Sequence, residues 1–234
     1  MSIKPKLTWP IKLTAADRIS VAKERLNKAK DLLSFAIAVR ESNAQLVSAR
    51  IRKQIPISRA ANCYNFLVAS QLRHEVVCLT ALWDEPREDR DSLPTILKLL
   101  SDPNVEAELL KIAENSYSGS SVYEKKRRKE ERQRAIGQFS EVKKLIWDLP
   151  KNARFKKLRE FRNEVIAHTL SKPASNIRPN AIPKTKGFWD YTIKCVNLLD
   201  SLIANSSMDW TDTEKIHRRN AALFWQSVSI TLKK

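Results

Sequence analysis

Residues 14–36, TAADRISVAKERLNKAKDLLSFA, contain the clearest helical pattern in the chain. Thr14 and Asp17 have the spacing of a capping box, in which each side chain accepts a hydrogen bond from the other residue's backbone N–H. Apolar side chains then recur every three or four residues, which places them on one helix face: Ile19, Ala22, Leu26, Ala29, Leu33 and Ala36. The stretch predicts an amphipathic helix that packs on a core.

Similar spacing predicts more helices along the chain. They fall at about 61–83, 92–100, 105–115, 122–149, 152–170, 188–203 and 211–232. Only three of the 234 residues are glycine, whereas a β-sandwich of this size needs many glycine-containing turns. The sequence therefore predicts an all-α fold.

No Gly/Ser-rich linker divides the chain, so we predict one domain over residues 1–234. Its core covers about 14–170, a basic loop with three prolines covers 171–187, and C-terminal helices cover 188–232. Within 122–149, the predicted buried side chains are Ile136, Phe139, Val142 and Ile146. Trp147, Trp189, Trp210 and Trp225 are interpreted as core residues rather than base-stacking residues.

The net charge of +17 and the isoelectric point of about 9.9 favour a polyanionic partner over a solvated surface with no specific partner. RNA, DNA and an acidic protein are all candidates. A membrane is not expected, because the most apolar stretch, Leu32–Val39, is far shorter than the roughly 20 residues needed to span a bilayer. The N-terminus lacks an apolar signal core, so we expect a cytoplasmic protein.

The three cysteines, Cys63, Cys78 and Cys195, are widely spaced and odd in number, which is typical of small buried residues in a reduced protein. No CxxC occurs and no two histidines lie near each other. We therefore predict no metal and no cofactor. His74 and His217 are interpreted as structural.

The segment from Arg162 to His168, RNEVIAH, combines a guanidinium, an amide and an imidazole at the end of a predicted helix. Metal-free RNA cleavage needs a group that moves protons near neutral pH, and histidine suits this. It also needs a cation for the charge on the phosphate, and arginine offers a planar donor fork. Asn163 can position these groups without adding charge.

Six residues of an ideal helix advance about 9 Å and turn about 240°, so Arg162 and His168 do not share a face. Two protomers related by a two-fold axis could instead form a composite site, and a local distortion of the helix end could also help. Catalysis therefore implies a homodimer. On spacing alone, a solvated Arg162 and a His168 that caps the helix remain the simpler interpretation.

The longer string from Phe161 to Thr169, FRNEVIAHT, resembles the Arg-Asn…Ala-His-Thr signature of HEPN proteins, in particular the AbiU-like abortive-infection branch. Residues 82–85, LWDE, and 90–100, RDSLPTILKLL, are similar to a second stretch of that branch, an aspartate-containing loop before a Ser-Leu-led helix. The resemblance covers roughly residues 14–170 in organisation, with strict motif identity over about ten residues.

The resemblance implies an antiparallel helical bundle that dimerises and cleaves RNA without a metal. It makes Arg162 and His168 the catalytic pair and Asn163 the supporting polar residue. Many members are toxins restrained by an antitoxin protein, and others act in phage defence. Toxins that are silenced by tyrosine modification carry a Tyr two residues after the His, but this chain has Leu170 there.

Two basic segments are candidate RNA-binding sites. One is the run Lys125, Lys126, Arg127, Arg128 and Lys129. The alternative interpretation of this run is a solvated helix with internal Glu–Lys pairs. The other is the loop that contains Lys172 and Arg178. The alternative is that this loop only connects two helices.

The sequence thus predicts a HEPN endoribonuclease that acts as a toxin or antiphage effector. The alternatives are a non-catalytic basic module that binds nucleic acid or regulates, and a scaffold for an acidic protein.

Overall fold

The computed structural model describes residues 13–53, 61–116, 121–168 and 185–228. This part of the chain contains α-helices, one 3-10 turn at Leu149–Lys151 and no strand. The helices are α1 (Ala15–Leu46), α2 (Ala49–Arg52), α3 (Ala61–Ala81), α4 (Leu93–Leu100), α5 (Pro103–Glu114), α6 (Val122–Asp148), α7 (Ala153–His168), α8 (Lys186–Ala204) and α9 (Trp210–Ser227). The predicted all-α class is confirmed. None of these helices has the length and apolarity needed to cross a membrane.

Side-chain caps set several helix starts. The backbone N–H of Asp17 donates to Oγ1 of Thr14 at 3.2 Å, and the N–H of Thr14 donates to Oδ2 of Asp17 at 3.3 Å, as the capping-box spacing predicts. Ser121 and Glu124 form the same reciprocal pair at the start of α6. Such caps satisfy amide groups that have no partner inside the helix, and so fix where the helix begins.

The contacts divide the chain into two compact units. The first comprises Met1–Lys30, Leu82–Pro150 and Asp190–Met208, and within it α6 packs against α4 and α5. Its buried apolar side chains include Leu26, Ile96, Leu109, Phe139, Val142, Ile146 and Leu199. Trp83 is fully buried, and its indole N–H donates to the hydroxyl of Thr192 at 2.9 Å.

The loop at residues 84–91 belongs to this first unit and is held by charged side chains. Arg25 donates to the backbone carbonyls of Glu88 and Arg90, and Arg90 pairs with Asp84 at 2.9 Å. Residues 84–91 thus form a loop, as the resemblance of residues 82–85 and 90–100 implies, and the α4 that follows it is capped by Ser92.

The second unit comprises Asp31–Ala81, Lys151–Trp189 and Asp209–Lys234, and within it α3 packs against α7. Its buried apolar side chains include Leu33, Ile37, Leu46, Ile51, Val76, Leu79, Phe155, Leu158 and Phe188. Glu41 is a buried carboxylate clasped by two arginines. Nη2 of Arg40 lies 2.9 Å from Oε1, and Nε of Arg218 lies 2.9 Å from Oε2. The one-domain organisation remains a prediction.

Some local predictions were wrong. The short helix α2 lies outside the predicted helices, and the predicted loop at 171–187 ends in the first turn of α8. On α6, Ala135 is buried with Phe139, Val142 and Ile146, whereas Ile136 is 41% exposed. The predicted core residue Trp147 is 66% exposed, whereas Trp189 and Trp210 are buried and Trp225 is half-buried.

Candidate active site

Helix α7 carries the candidate catalytic residues, and its start is fixed by Asn152. The side-chain oxygen of Asn152 accepts a hydrogen bond from the backbone N–H of Arg154 at 2.9 Å, and its carbonyl accepts from Lys156 at 3.0 Å. Phe155 and Leu158 are almost fully buried and anchor the first half of the helix. The second half therefore extends from a well-packed base.

Arg162 and Asn163 form a contact on this second half. The guanidinium donates to Oδ1 of Asn163 from Nε at 3.3 Å and from Nη2 at 3.1 Å. Arg162 is half-buried, and Asn163 is exposed. Because an amide oxygen is neutral, this partner orients the guanidinium without cancelling its positive charge. The arrangement suits a group that must face a phosphate.

His168 is the last residue of α7, and its side chain lies outside the described residues, as do Thr169 and Leu170. The backbone is α-helical from Ala153 through His168. At the usual rise, the Cα atoms of Arg162 and His168 are separated by about 9 Å along the axis. Up to His168, the backbone of α7 therefore shows no distortion of its helical path.

Glu164 lies one helical turn before His168, and its side chain is exposed.

The basic run on α6 is divided between helix faces. Lys125, Lys126 and Lys129 are exposed, and Arg128 is half-buried. Arg127 donates to the hydroxyl of Tyr123 from Nε at 2.9 Å, and its guanidinium carbon lies 5.2 Å from the centre of that ring. Lys172 and Arg178 lie outside the described residues. The lysines are thus more accessible to a polyanion than the arginines.

The same face of α6 also carries Lys144 and Trp147, which are exposed and were not predicted to bind RNA. A three- and four-residue spacing from Lys126 and Lys129 would have indicated both.

His74 and His217, which the sequence analysis interpreted as structural, both lie close to neighbouring side chains. Nε2 of His74 lies 3.5 Å from Sγ of Cys78, and its ring packs edge-on against Phe35. Nε2 of His217 lies 3.5 Å from the hydroxyl of Ser34. Within the described ranges, no group of three His, Cys, Asp or Glu residues could hold a metal ion. Because the side chain of His168 is outside these ranges, the metal-free mechanism remains a prediction.

The cysteine prediction was partly wrong. Cys78 and Cys195 are buried, and burial raises the pKa of both thiols. Cys63, near the start of α3, is exposed.

Comparison with protein families gives a match to the HEPN family model described as AbiU2, over residues 23–224. The match includes both the α7 motif and the loop at 84–91. Comparisons with curated proteins and with solved structures gave no match.

Proposed function

Because this chain belongs to the AbiU2 family of HEPN proteins, we propose that it is a metal-independent endoribonuclease of abortive infection, acting as a toxin or an antiphage effector. The observation that carries the proposal is the contact between Arg162 and Asn163 on the helix that ends at His168. This contact orients a charged group that can donate hydrogen bonds to a phosphate, and that group lies within two helical turns of the side chain proposed to transfer protons.

In the proposed reaction, the 2′-oxygen of a ribose attacks the adjacent phosphorus while the bond to the 5′-oxygen breaks. His168 accepts the proton of the 2′-hydroxyl, and a protonated imidazole donates a proton to the leaving 5′-oxygen. The products are a 2′,3′-cyclic phosphate and a 5′-hydroxyl. Arg162 stabilises the charge on the phosphate oxygens, and Asn163 holds the guanidinium in place.

The site is completed by a second copy of the chain. On an ideal helix the six residues from Arg162 to His168 turn by about 240°, which leaves the two side chains pointing about 120° apart, so one protomer brings a single one of them to a given phosphate. A two-fold axis supplies the other from the equivalent helix. The partners in this proposal are thus RNA, a second protomer and, for a toxin, an antitoxin protein. Leu170 replaces the modified tyrosine of some relatives, so such an antitoxin acts by another route.

Catalysis is tested by incubating RNA with the pure protein in EDTA. We expect cleavage that leaves cyclic phosphate ends, and His168→Ala should abolish cleavage but keep salt-sensitive RNA binding. Cleavage that requires an added metal would contradict the mechanism. RNA binding without any cleavage would instead favour the alternative, a non-catalytic nucleic-acid-binding or regulatory module.

The composite site is tested by complementation. Arg162→Ala and His168→Ala protomers are co-expressed with different tags, and the mixed dimer is purified. One of its two sites then combines an intact Arg162 with an intact His168, so activity should return to about half that of the wild-type dimer. A mixed dimer that stays inactive, or a strict monomer that cuts RNA, excludes the composite site.

A further inference from the structure

One exposed face of α6 carries a row of side chains that neither the α7 site nor the core uses. The row, called here the α6 stripe, recurs every three or four residues along the helix: Lys126, Lys129, Gln133, Ile136, Ser140, Lys144 and Trp147. All seven are exposed. From Lys126 to Trp147 the stripe is about 32 Å long at the usual helical rise.

The surface above the stripe is open. Apart from the adjacent residues and the backbone of α6 itself, a Cβ atom added at the neighbouring Gly137 would meet no heavy atom within 4 Å. The opposite face of α6 is covered, because Ala135, Phe139, Val142 and Ile146 are buried there. The stripe is thus held on a helix whose other side is fixed by the core.

The charge on the stripe is of one sign, because it contains three lysines and no carboxylate. Three acidic side chains elsewhere on α6 have other partners, because Glu124 caps the helix start with Ser121, Glu131 pairs with Arg134 and Glu141 pairs with Lys194. Glu130 is exposed one turn after Lys126. Within the described ranges, no carboxylate lies within ion-pair distance of Lys126, Lys129 or Lys144. Their charges are available to an external anion.

The stripe also contains an exposed aromatic side chain, that of Trp147. Its side chain is 66% exposed, and it stands at the end of the lysine row. Ammonium groups along a groove or ridge attract successive phosphates, and an exposed aromatic ring stacks on an unpaired base. Together these are the two elements of single-strand recognition.

We propose that the α6 stripe binds single-stranded RNA outside the catalytic site, with Lys126, Lys129 and Lys144 on phosphates and Trp147 stacked on a base. The inference rests on the proposed function only for its choice of RNA as the polyanion. The stripe would hold the substrate strand and thereby lower the KM without taking part in bond cleavage.

A partner helix fits the stripe less well. Helix docking uses apolar anchors at i, i+3 or i+4 and i+7, whereas Ile136 and Trp147 are separated by Ser140 and Lys144. An anionic membrane also fits less well, because an interfacial helix buries a continuous apolar face.

The test measures binding of a fluorescein-labelled single-stranded RNA by anisotropy, in EDTA and in the His168→Ala background, over a salt series. Trp147→Ala should weaken binding at least five-fold and leave the salt slope unchanged, while Trp147→Phe retains most of the affinity. The triple replacement of Lys126, Lys129 and Lys144 by Gln should reduce the slope of log K against log salt by about two.

Matched controls come from exposed residues outside the stripe. Tyr191→Ala removes an exposed aromatic ring from α8. The triple replacement of Lys23, Lys53 and Lys111 by Gln removes three exposed lysines. Circular dichroism checks that each variant folds. The proposal is overturned if stripe variants bind RNA like the wild type, if the controls lose as much affinity, or if the stripe variants lose only binding to anionic vesicles.

Cleavage by the same variants with His168 restored separates the two proposals. A raised KM with an unchanged kcat for Trp147→Ala supports the stripe. Stripe-dependent binding without any cleavage by the wild type would refute only the proposed function, and normal cleavage with an unchanged KM in all stripe variants would refute only the stripe.

Discussion

The guanidinium of Arg162 is held by the side chain of the next residue, Asn163, through two hydrogen bonds to one amide oxygen. If Arg162 stabilises charge on the phosphate, Arg162→Ala should slow single-turnover RNA cleavage by about 10²–10³-fold. Asn163→Ala should slow it by roughly ten-fold, because positioning is lost but the charge remains. Arg154→Ala, an exposed arginine on the same helix, serves as the control.

Asn163→Asp separates charge from position at the same site. The introduced carboxylate keeps an acceptor for Arg162 but neutralises its field, so we expect a larger loss of cleavage than with Asn163→Ala. The same single-turnover assay checks this. An Asn163→Asp variant as active as the wild type would show that the positive charge of Arg162 is not used.

The contact between Arg162 and Asn163 could have been predicted from the sequence, because it joins adjacent residues of one helix and does not depend on tertiary packing. The helix starts were predictable for the same reason. Thr14 with Asp17, and Ser92 before Pro94, carry their capping chemistry within four residues.

Ile136, Trp147 and Cys63 were predicted to be buried but are exposed, and for Ile136 the periodicity could not have shown this. The pattern on α6 fits a buried row through either Ala135 or Ile136, and only the packing of α4 and α5 against the helix selects Ala135. Trp147 directly follows the buried Ile146 and points away from the buried face, and it is 66% exposed. The composite site is a further step away, because it depends on a second chain.

Glu41 should make the stability of the second unit depend on acid pH. Burial raises the pKa of this carboxyl, but hydrogen bonds from Arg218 and Arg40 outweigh it and hold the pKa below its ordinary value of 4.5. A lowered pKa in the folded state stabilises the fold above the unfolded pKa, and the contribution is lost as the pH falls below 4.5 through the folded value.

Glu41→Gln should accordingly lower the free energy of unfolding at pH 7 by about 1–3 kcal/mol, less than for a fully buried pair because Arg218 is largely exposed. The difference from the wild type should shrink between pH 5 and pH 3 in urea titrations followed by circular dichroism. Glu24→Gln, which breaks an exposed pair with Lys28, should leave stability unchanged. An equal difference at all pH values would contradict this role of Glu41.

The three cysteines should react at two very different rates. Cys63 is exposed, whereas burial keeps Cys78 and Cys195 inaccessible and raises the pKa of both thiols. Titration with Ellman's reagent should therefore detect one fast thiol in the native protein and three in guanidinium. Cys63→Ser should remove the fast phase, and a fast phase that survives this change would show that a second thiol is accessible.

The buried hydrogen bond between Trp83 and Thr192 provides a local test of the first unit. Thr192 is fully buried, and its hydroxyl accepts from the indole N–H at 2.9 Å. Thr192→Val keeps the volume but removes this acceptor of the indole N–H, which should lower the free energy of unfolding by about 1–3 kcal/mol. Thr192→Ser keeps the acceptor and should cost less, although it removes a methyl group. Urea unfolding of the two variants decides between them: if Ser is the more damaging, methyl packing rather than the hydrogen bond holds Trp83 in place.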